Sequence, residues 1–182
     1  MRLFTIGHSN HSMEDFVCLL EGNGITLVVD VRTAPYSRYN PQFNKEQIEH
    51  ALRAHDIEYA YAGKHLGGRP SDPSCYKSRM LPAEGVDYLH EVDYPEVMKR
   101  PRFVQGINRL LELAEEHRTA IMCSEENPEQ CHRHHLIAAY LMAQHPEVEV
   151  EHIRGDGTVF DAAMILGSVD TVAVEQLPLF GN

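Results

Sequence analysis

Short apolar runs alternate with helical periods along most of the chain. Arg2 to Gly7 (RLFTIG) predicts a first strand. Ser12 with Asp15 has the form of an N-cap and an acidic first turn, and Met13, Phe16, Val17 and Leu20 then share one helical face. Gly22-Asn23-Gly24 ends that helix. Ile25 to Val31 (ITLVVDV) is almost wholly apolar, as a strand covered on both faces would be. Asn44 with Gln47 repeats the capping pattern ahead of Ile48, Ala51 and Leu52, and Ile57 to Ala62 (IEYAYA) is a weaker strand. Gly63 to Pro82 reads as a long Gly/Pro-rich loop. Phe103, Ile107, Leu110, Leu111 and Ala114 mark a helix; Thr119 to Ser124 a strand; Cys131 to Gln144 a helix; Val148 to Ile153 a last strand.

This alternation predicts an α/β fold: a single three-layer Rossmann-like domain over residues 1–160 with a mainly parallel sheet, and a tail over 161–182. Ligands of such sheets sit beyond the carboxyl ends of the strands. Three polar clusters follow predicted strands: Gly7-His8-Ser9; Asp30-Val31-Arg32 with Pro35 and Ser37; and Cys123-Ser124-Glu125 with Cys131-His132-Arg133. If strands one, two and four are neighbours, all three line one crevice.

With 182 residues, 43% of them hydrophobic and 24% charged, the chain can bury one real core. Its formal net charge of −11 excludes a globally basic nucleic-acid coat, though not a local basic patch. No apolar run approaches the ~20 residues that span a bilayer, which argues against a membrane partner. MRLFTIGHSNHS lacks the form of a signal peptide, so the expected location is cytoplasmic. There, Cys18, Cys75, Cys123 and Cys131 are expected as free thiols, metal ligands or catalytic groups.

Each cluster has both a chemical use and an ordinary one. Cys131 at a helix start favours a thiolate. Arg32 and Arg133 suit an anion, with Ser9 and Ser37 beside them as substrate-binding hydroxyls. Glu125 and Asp30 are candidate bases or orienting groups, and His8 or His132 can shuttle a proton near neutral pH. Asp30 and Arg32 would equally serve as a simple pair holding a loop. Cys18 is expected to pack in its helix, His134 and His135 to be surface residues, and Tyr59 and Tyr61 to be half-buried. Cys123, Cys131, His132 and His8 are of metal-ligand type, but Cys-x7-Cys-His does not match the short paired loops of structural zinc, and no metal is assigned. The residues identify no cofactor.

TIGHS, DVRTAPYS, Leu66-Gly67-Gly68, Tyr76 and CSEENPEQCHR together resemble the pattern of domain-of-unknown-function family 488, in order, from about Thr5 to Ile153. The resemblance implies motif positions His8, Ser9, Asp30, Arg32, Pro35, Ser37, Cys123, Glu125, Cys131, His132 and Arg133, but no activity. A looser similarity is to rhodanese-like and phosphatase-like domains, with Cys123 at the strand-end position. Asn127-Pro128 and the acidic Glu125 and Glu126 depart from that anion-wrapping loop.

The end of the chain, Gln176-Leu177-Pro178-Leu179-Phe180, resembles the peptide by which bacterial repair and replication proteins dock on the sliding clamp. Gln176, Leu177, Leu179 and Phe180 are its partner-binding positions, unless the apolar three pack back on the domain. Clamp docking would point to DNA metabolism, with Arg38, Arg69, Lys77 and Arg79 adding local positive charge. The leading expectation is an enzyme acting on an anionic substrate, a nucleotide or a nucleic-acid end. The alternatives are a non-catalytic binding module and a thiol or metal protein.

Overall fold

The computed structural model describes residues 1–83 and 85–166. The clamp-like peptide at Gln176–Phe180 lies outside the described residues.

Among the described residues, six strands form one sheet: β1 (Arg2–Gly7), β2 (Leu27–Asp30), β3 (Glu58–Tyr61), β4 (Thr119–Cys123), β5 (Glu149–Ile153) and β6 (Val159–Asp161). The spatial order is β3-β2-β4-β1-β5-β6, parallel except for the edge strand β6. The chain is thus α/β with a mainly parallel sheet, and β2, β4 and β1 are neighbours. Gly7 pairs with Cys123 and Asp30 with Met122, so all three strands end level.

The expected strands are present, β1 with the expected bounds and the other four slightly shorter; β6 is an addition. It returns through the turn Arg154–Thr158, where Gly157 takes φ +85°. An Asp156-Gly157 pair is a hairpin signal.

Helices cover both faces. Helix α1 (Met13–Gly22) and helix α2 (Lys45–Arg53) pack on one side through Phe16, Val17, Leu20, Ile48 and Leu52. The short helices α3 (Gly63–Leu66), α4 (Tyr88–Glu91) and α5 (Tyr94–Met98) lead into α6 (Pro101–Glu116). On the other side α6 packs through Phe103, Ile107 and Leu110, beside a π-helical stretch Arg133–Ala138 that continues as α7 (Ala139–Gln144). The last described helix, α8 (Ala163–Leu166), follows Ala162, which is fully buried, so the described chain stays packed past residue 160.

Period-2 alternation assigns the strand residues to these faces: Val28, Ala120 and Met122 toward α1 and α2, Val29, Val31, Ile121 and Cys123 toward α6 and α7.

The two N-cap expectations come out differently. Ser12 Oγ accepts from Asp15 N at 3.0 Å and donates to the Asp15 carboxylate at 2.7 Å. Asn44 stands at its helix start, but its side-chain oxygen accepts from Ser37 N at 2.7 Å, so it ties down the preceding loop rather than the helix.

Candidate functional site

β4 runs out toward the α6/α7 face, while its neighbours β1 and β2 run out toward the α1/α2 face. A crevice opens where such connections diverge. A cavity of about 270 Å³ lies there, and Arg32, Gly68, Arg69, Tyr88, Tyr94, Ser124 and Glu125 line it together with Cys123, Cys131 and His132.

Cys123 ends β4, and the next residues fold back over a 3-10 turn, Pro128–Gln130, capped by Asn127. That return brings Cys131 and His132 beside Cys123. The donor atoms of these three residues lie within 4.8 Å of one another. His132 Nδ1 is 3.6 Å from Cys123 Sγ and 3.9 Å from Cys131 Sγ. Its Nε2 is 3.2 Å from the Val31 carbonyl, an acceptor, which puts the ring proton on Nε2 and leaves the Nδ1 lone pair facing both sulfurs. Gly68 closes the far side of this ring: a Cβ there would stand 2.6 Å from His132 Cγ.

The two thiols differ. Burial alone would raise Cys131, but the hydrogen bond from Cys123 and the nearby Arg133 charge hold it well below the ordinary thiol value. Cys123 is held well above it by the hydrogen bond it gives Cys131, by burial and by the Cys131 charge. Glu125 reaches solvent at the mouth, where crowding and then the Cys131 charge hold its carboxyl above the usual range.

Arg133 does not face the cavity. It is fully buried, and its guanidinium donates to Thr5 Oγ1 and to the carbonyls of Glu125 and Glu126. It therefore pins the loop after β4 instead of offering a charge to a substrate. Gly7 belongs to the same junction, since a Cβ there would lie 1.8 Å from the Glu125 carbonyl oxygen.

A second cluster lies behind the cavity on the α1/α2 face. Asp30 is 0% exposed and Arg32 3%. Arg32 Nη2 and Nε meet the Asp30 carboxylate at 2.6 and 2.9 Å, and Tyr59 donates its hydroxyl to Asp30 at 2.8 Å. Arg32 Nη2 also donates to the Phe43 carbonyl at 2.8 Å, and Nη1 meets His8 Nε2 at 3.2 Å. Of the five guanidinium N–H groups, these contacts use Nε, both on Nη2 and one on Nη1, which leaves one Nη1 N–H for the cavity.

His8 stacks on Phe43 and gives its Nδ1 proton to the Ser9 carbonyl. Burial, then the Arg32 charge, lowers its pKa to about 4. It is neutral at pH 7 with both nitrogens engaged, so it positions Arg32 and does not shuttle protons.

Ser9 and Ser37 stay outside the cavity. Ser9 takes φ 45°, with its hydroxyl on Asn10 and its N–H on the Ser124 carbonyl. Ser37 caps its own loop by accepting from Asn40 N. Cys18 is exposed rather than packed, and Cys75 is buried. His134 is fully buried, with its Nδ1 on His152, whereas His135 is half-buried. Tyr59 and Tyr61 are half-buried, as the strand pattern implies. Of the expected basic residues only Arg69 joins Arg32 in the lining.

Residues 12–141 match the family model described as Domain of unknown function DUF488. The chain belongs to that family. No curated protein and no solved structure matches the chain. In this DUF488 chain the match takes in Asp30, Arg32, Gly68 and the whole of Cys123–Arg133, while His8 and Ser9 precede it.

The lining also contains residues that the motifs did not mark. Tyr88 and Tyr94 lie on short helices too brief for a periodic signal, and Arg69 Cζ sits 4.6 Å from the Tyr88 ring centroid. Gly68 stands in the Leu66-Gly67-Gly68 motif, but nothing in the sequence assigned it to the site. Among the described residues, no helix is long and apolar enough to cross a membrane.

Proposed function

We propose that this cavity is the active site of an enzyme acting on an anionic substrate, a nucleotide or a nucleic-acid end, with Cys123, Cys131 and His132 as the reactive centre. The observation that carries the reading is the convergence of two sulfurs and one imidazole lone pair at the wall of a cavity that also holds two guanidinium groups. Arg69 and the free N–H of Arg32 hold the anion, and Glu125 moves a proton at the mouth. Asp30 and His8 act through Arg32, and Arg133 through the loop it pins; these are positioning residues.

The test is binding and turnover with inorganic phosphate, nucleoside mono- and diphosphates and 5′-phosphorylated oligonucleotides, on the full chain. A charge-assisted hydrogen bond is worth about 1.5–3 kcal/mol, so Arg69→Ala weakens anion binding by about tenfold or more. Glu125→Gln lowers turnover while leaving binding largely intact. If neither variant changes binding or turnover, the assignment fails. A ligand that binds and is recovered unchanged would mark a binding module instead.

Recruitment to DNA metabolism belongs to the same proposal and rests on the sequence of the tail. Pull-down with a sliding clamp should succeed with the full chain and fail without its last seven residues. Equal capture of both forms removes that element.

A further inference from the structure

We propose that Cys123, Cys131 and His132 together hold one zinc-class divalent ion, with its fourth coordination position open to the cavity. The proposal rests on and deepens the reading of this cavity as an active site, because the open position is where a water or the anionic substrate would sit.

The argument is geometric. Zinc binds thiolate sulfur at about 2.3 Å and imidazole nitrogen at about 2.0–2.1 Å, so a tetrahedral site separates sulfur from nitrogen by about 3.6 Å. The two sulfur–nitrogen separations here are 3.6 and 3.9 Å, and the three donor atoms fall within 4.8 Å of one another. At 3.9 Å the Cys131 separation is long for a hydrogen bond, and the one Nδ1 lone pair cannot serve both sulfurs at once. An ion between the three donors satisfies all of them.

The surroundings also suit a ligand set. A ligating histidine generally donates its other ring N–H to a carbonyl or carboxylate, which fixes the ring. His132 makes that bond to the Val31 carbonyl at 3.2 Å, and Gly68 leaves no room for the ring to turn away. Thiolates with imidazole select soft or borderline ions over magnesium or calcium. Two thiolates and one divalent ion carry no net charge, which suits a place where Cys131 is 2% and Cys123 7% exposed. Glu125 lines the cavity but is not among the clustered donors, so among the described residues three protein ligands leave one position free. That is the pattern of zinc sites that do chemistry rather than hold a fold.

The spacing Cys-x7-Cys-His does not oppose this. The first cysteine is placed by a strand, and the 3-10 turn with its Asn127 cap and the Arg133 contacts delivers the second.

The test uses the full chain, purified without a histidine tag, kept reduced, loaded with zinc and desalted. About one zinc per chain is expected. Cobalt(II) in its place should give the intense visible bands of a tetrahedral site and thiolate-to-cobalt charge transfer. Cys131→Ser and His132→Ala should each weaken zinc binding at least about 100-fold, whereas the exposed Cys18→Ser should not change it. Should those variants not fold, the cobalt spectrum of the unaltered chain decides, since it reports the number and type of ligands directly. Reduced protein that holds far less than one equivalent, or cobalt bound without thiolate charge transfer, overturns the proposal. So does unchanged zinc affinity in a folded Cys131→Ser variant. Zinc binding without any anion binding would leave the metal site standing and remove the active-site reading. Undiminished turnover by metal-free protein would keep the active-site reading and overturn the ion's part in it.

Discussion

Replacing Asp30 with asparagine removes one charge from a buried pair on which the Arg32 side of the cavity depends. The carboxylate is fully buried and meets Arg32 through Nη2 at 2.6 Å, Nε at 2.9 Å and the backbone N–H at 3.0 Å. Asparagine keeps the shape and one acceptor, but it leaves the guanidinium charge in the interior without an opposite charge. Breaking one side of a buried pair costs about 3–5 kcal/mol; the retained acceptor places the expected loss near about 3 kcal/mol. Domains have only about 5–15 kcal/mol in total. At about 2–4 °C per kcal/mol for a chain of this size, the melting temperature should fall by roughly 6–12 °C. The measurement is urea unfolding followed by circular dichroism, with Asp30→Ala, Arg32→Met and the double variant completing a cycle. The double variant should recover at least about 2 kcal/mol of the summed single losses. A loss below about 1 kcal/mol for Asp30→Asn, or additivity in the cycle, would refute the reasoning and return the pair to the status of an ordinary loop contact.

Three further outcomes are expected. In Gly68→Ala the new methyl lies 2.6–2.9 Å from three His132 atoms, including Cβ and Cγ, so the ring must shift off the Val31 carbonyl; overpacking costs about 1–3 kcal/mol, and unchanged stability with an unchanged His132 NMR signal would contradict the contact. The chain should weaken in mild acid. Burial, then the Arg32 charge, holds His8 at about 4, and burial, then the His134 charge, holds His152 at about 3, against an ordinary 6.5. The unfolded chain therefore takes up protons first; stability is full above about pH 6.5 and falls by about 2 kcal/mol per histidine on reaching pH 5. Equal urea midpoints at pH 7.5 and pH 5 would contradict this. In Arg133→Met the carbonyls of Glu125 and Glu126 lose their donors; at about 1–3 kcal/mol per buried acceptor left unpaired, amides over residues 124–130 should exchange faster with solvent, and unchanged exchange would mean the loop holds without Arg133.

What the sequence made legible and what it hid follow from two different physical rules. Strands buried on both faces announce themselves as apolar runs, so β1, β2 and β4 could be placed, β5 showed by alternation (EVEHI), and the order β2-β4-β1 brings the three polar clusters to one end of the sheet. Which way each side chain faces depends on a register of period two and on what covers the strand, and there the reading of types alone misled. Asp30 points to the α1/α2 face, where it engages Arg32 and Tyr59, whereas Cys123 belongs to the α6/α7 face. Arginine is rarely buried, so nothing local reveals that Arg133 spends its donors on Thr5 and two carbonyls. His134, likewise, looks like a surface residue until its nitrogen is seen to meet His152 at 3.0 Å. The short helices carrying Tyr88 and Tyr94 hold four and five residues, too few for a period to show. Spacing along the chain restricts a cluster of ligands only when both partners sit on one tight turn. Here the sheet fixes Cys123 and a pinned loop returns Cys131 beside it, so the seven residues between them have only to close a loop, a requirement whose entropic cost grows slowly with length.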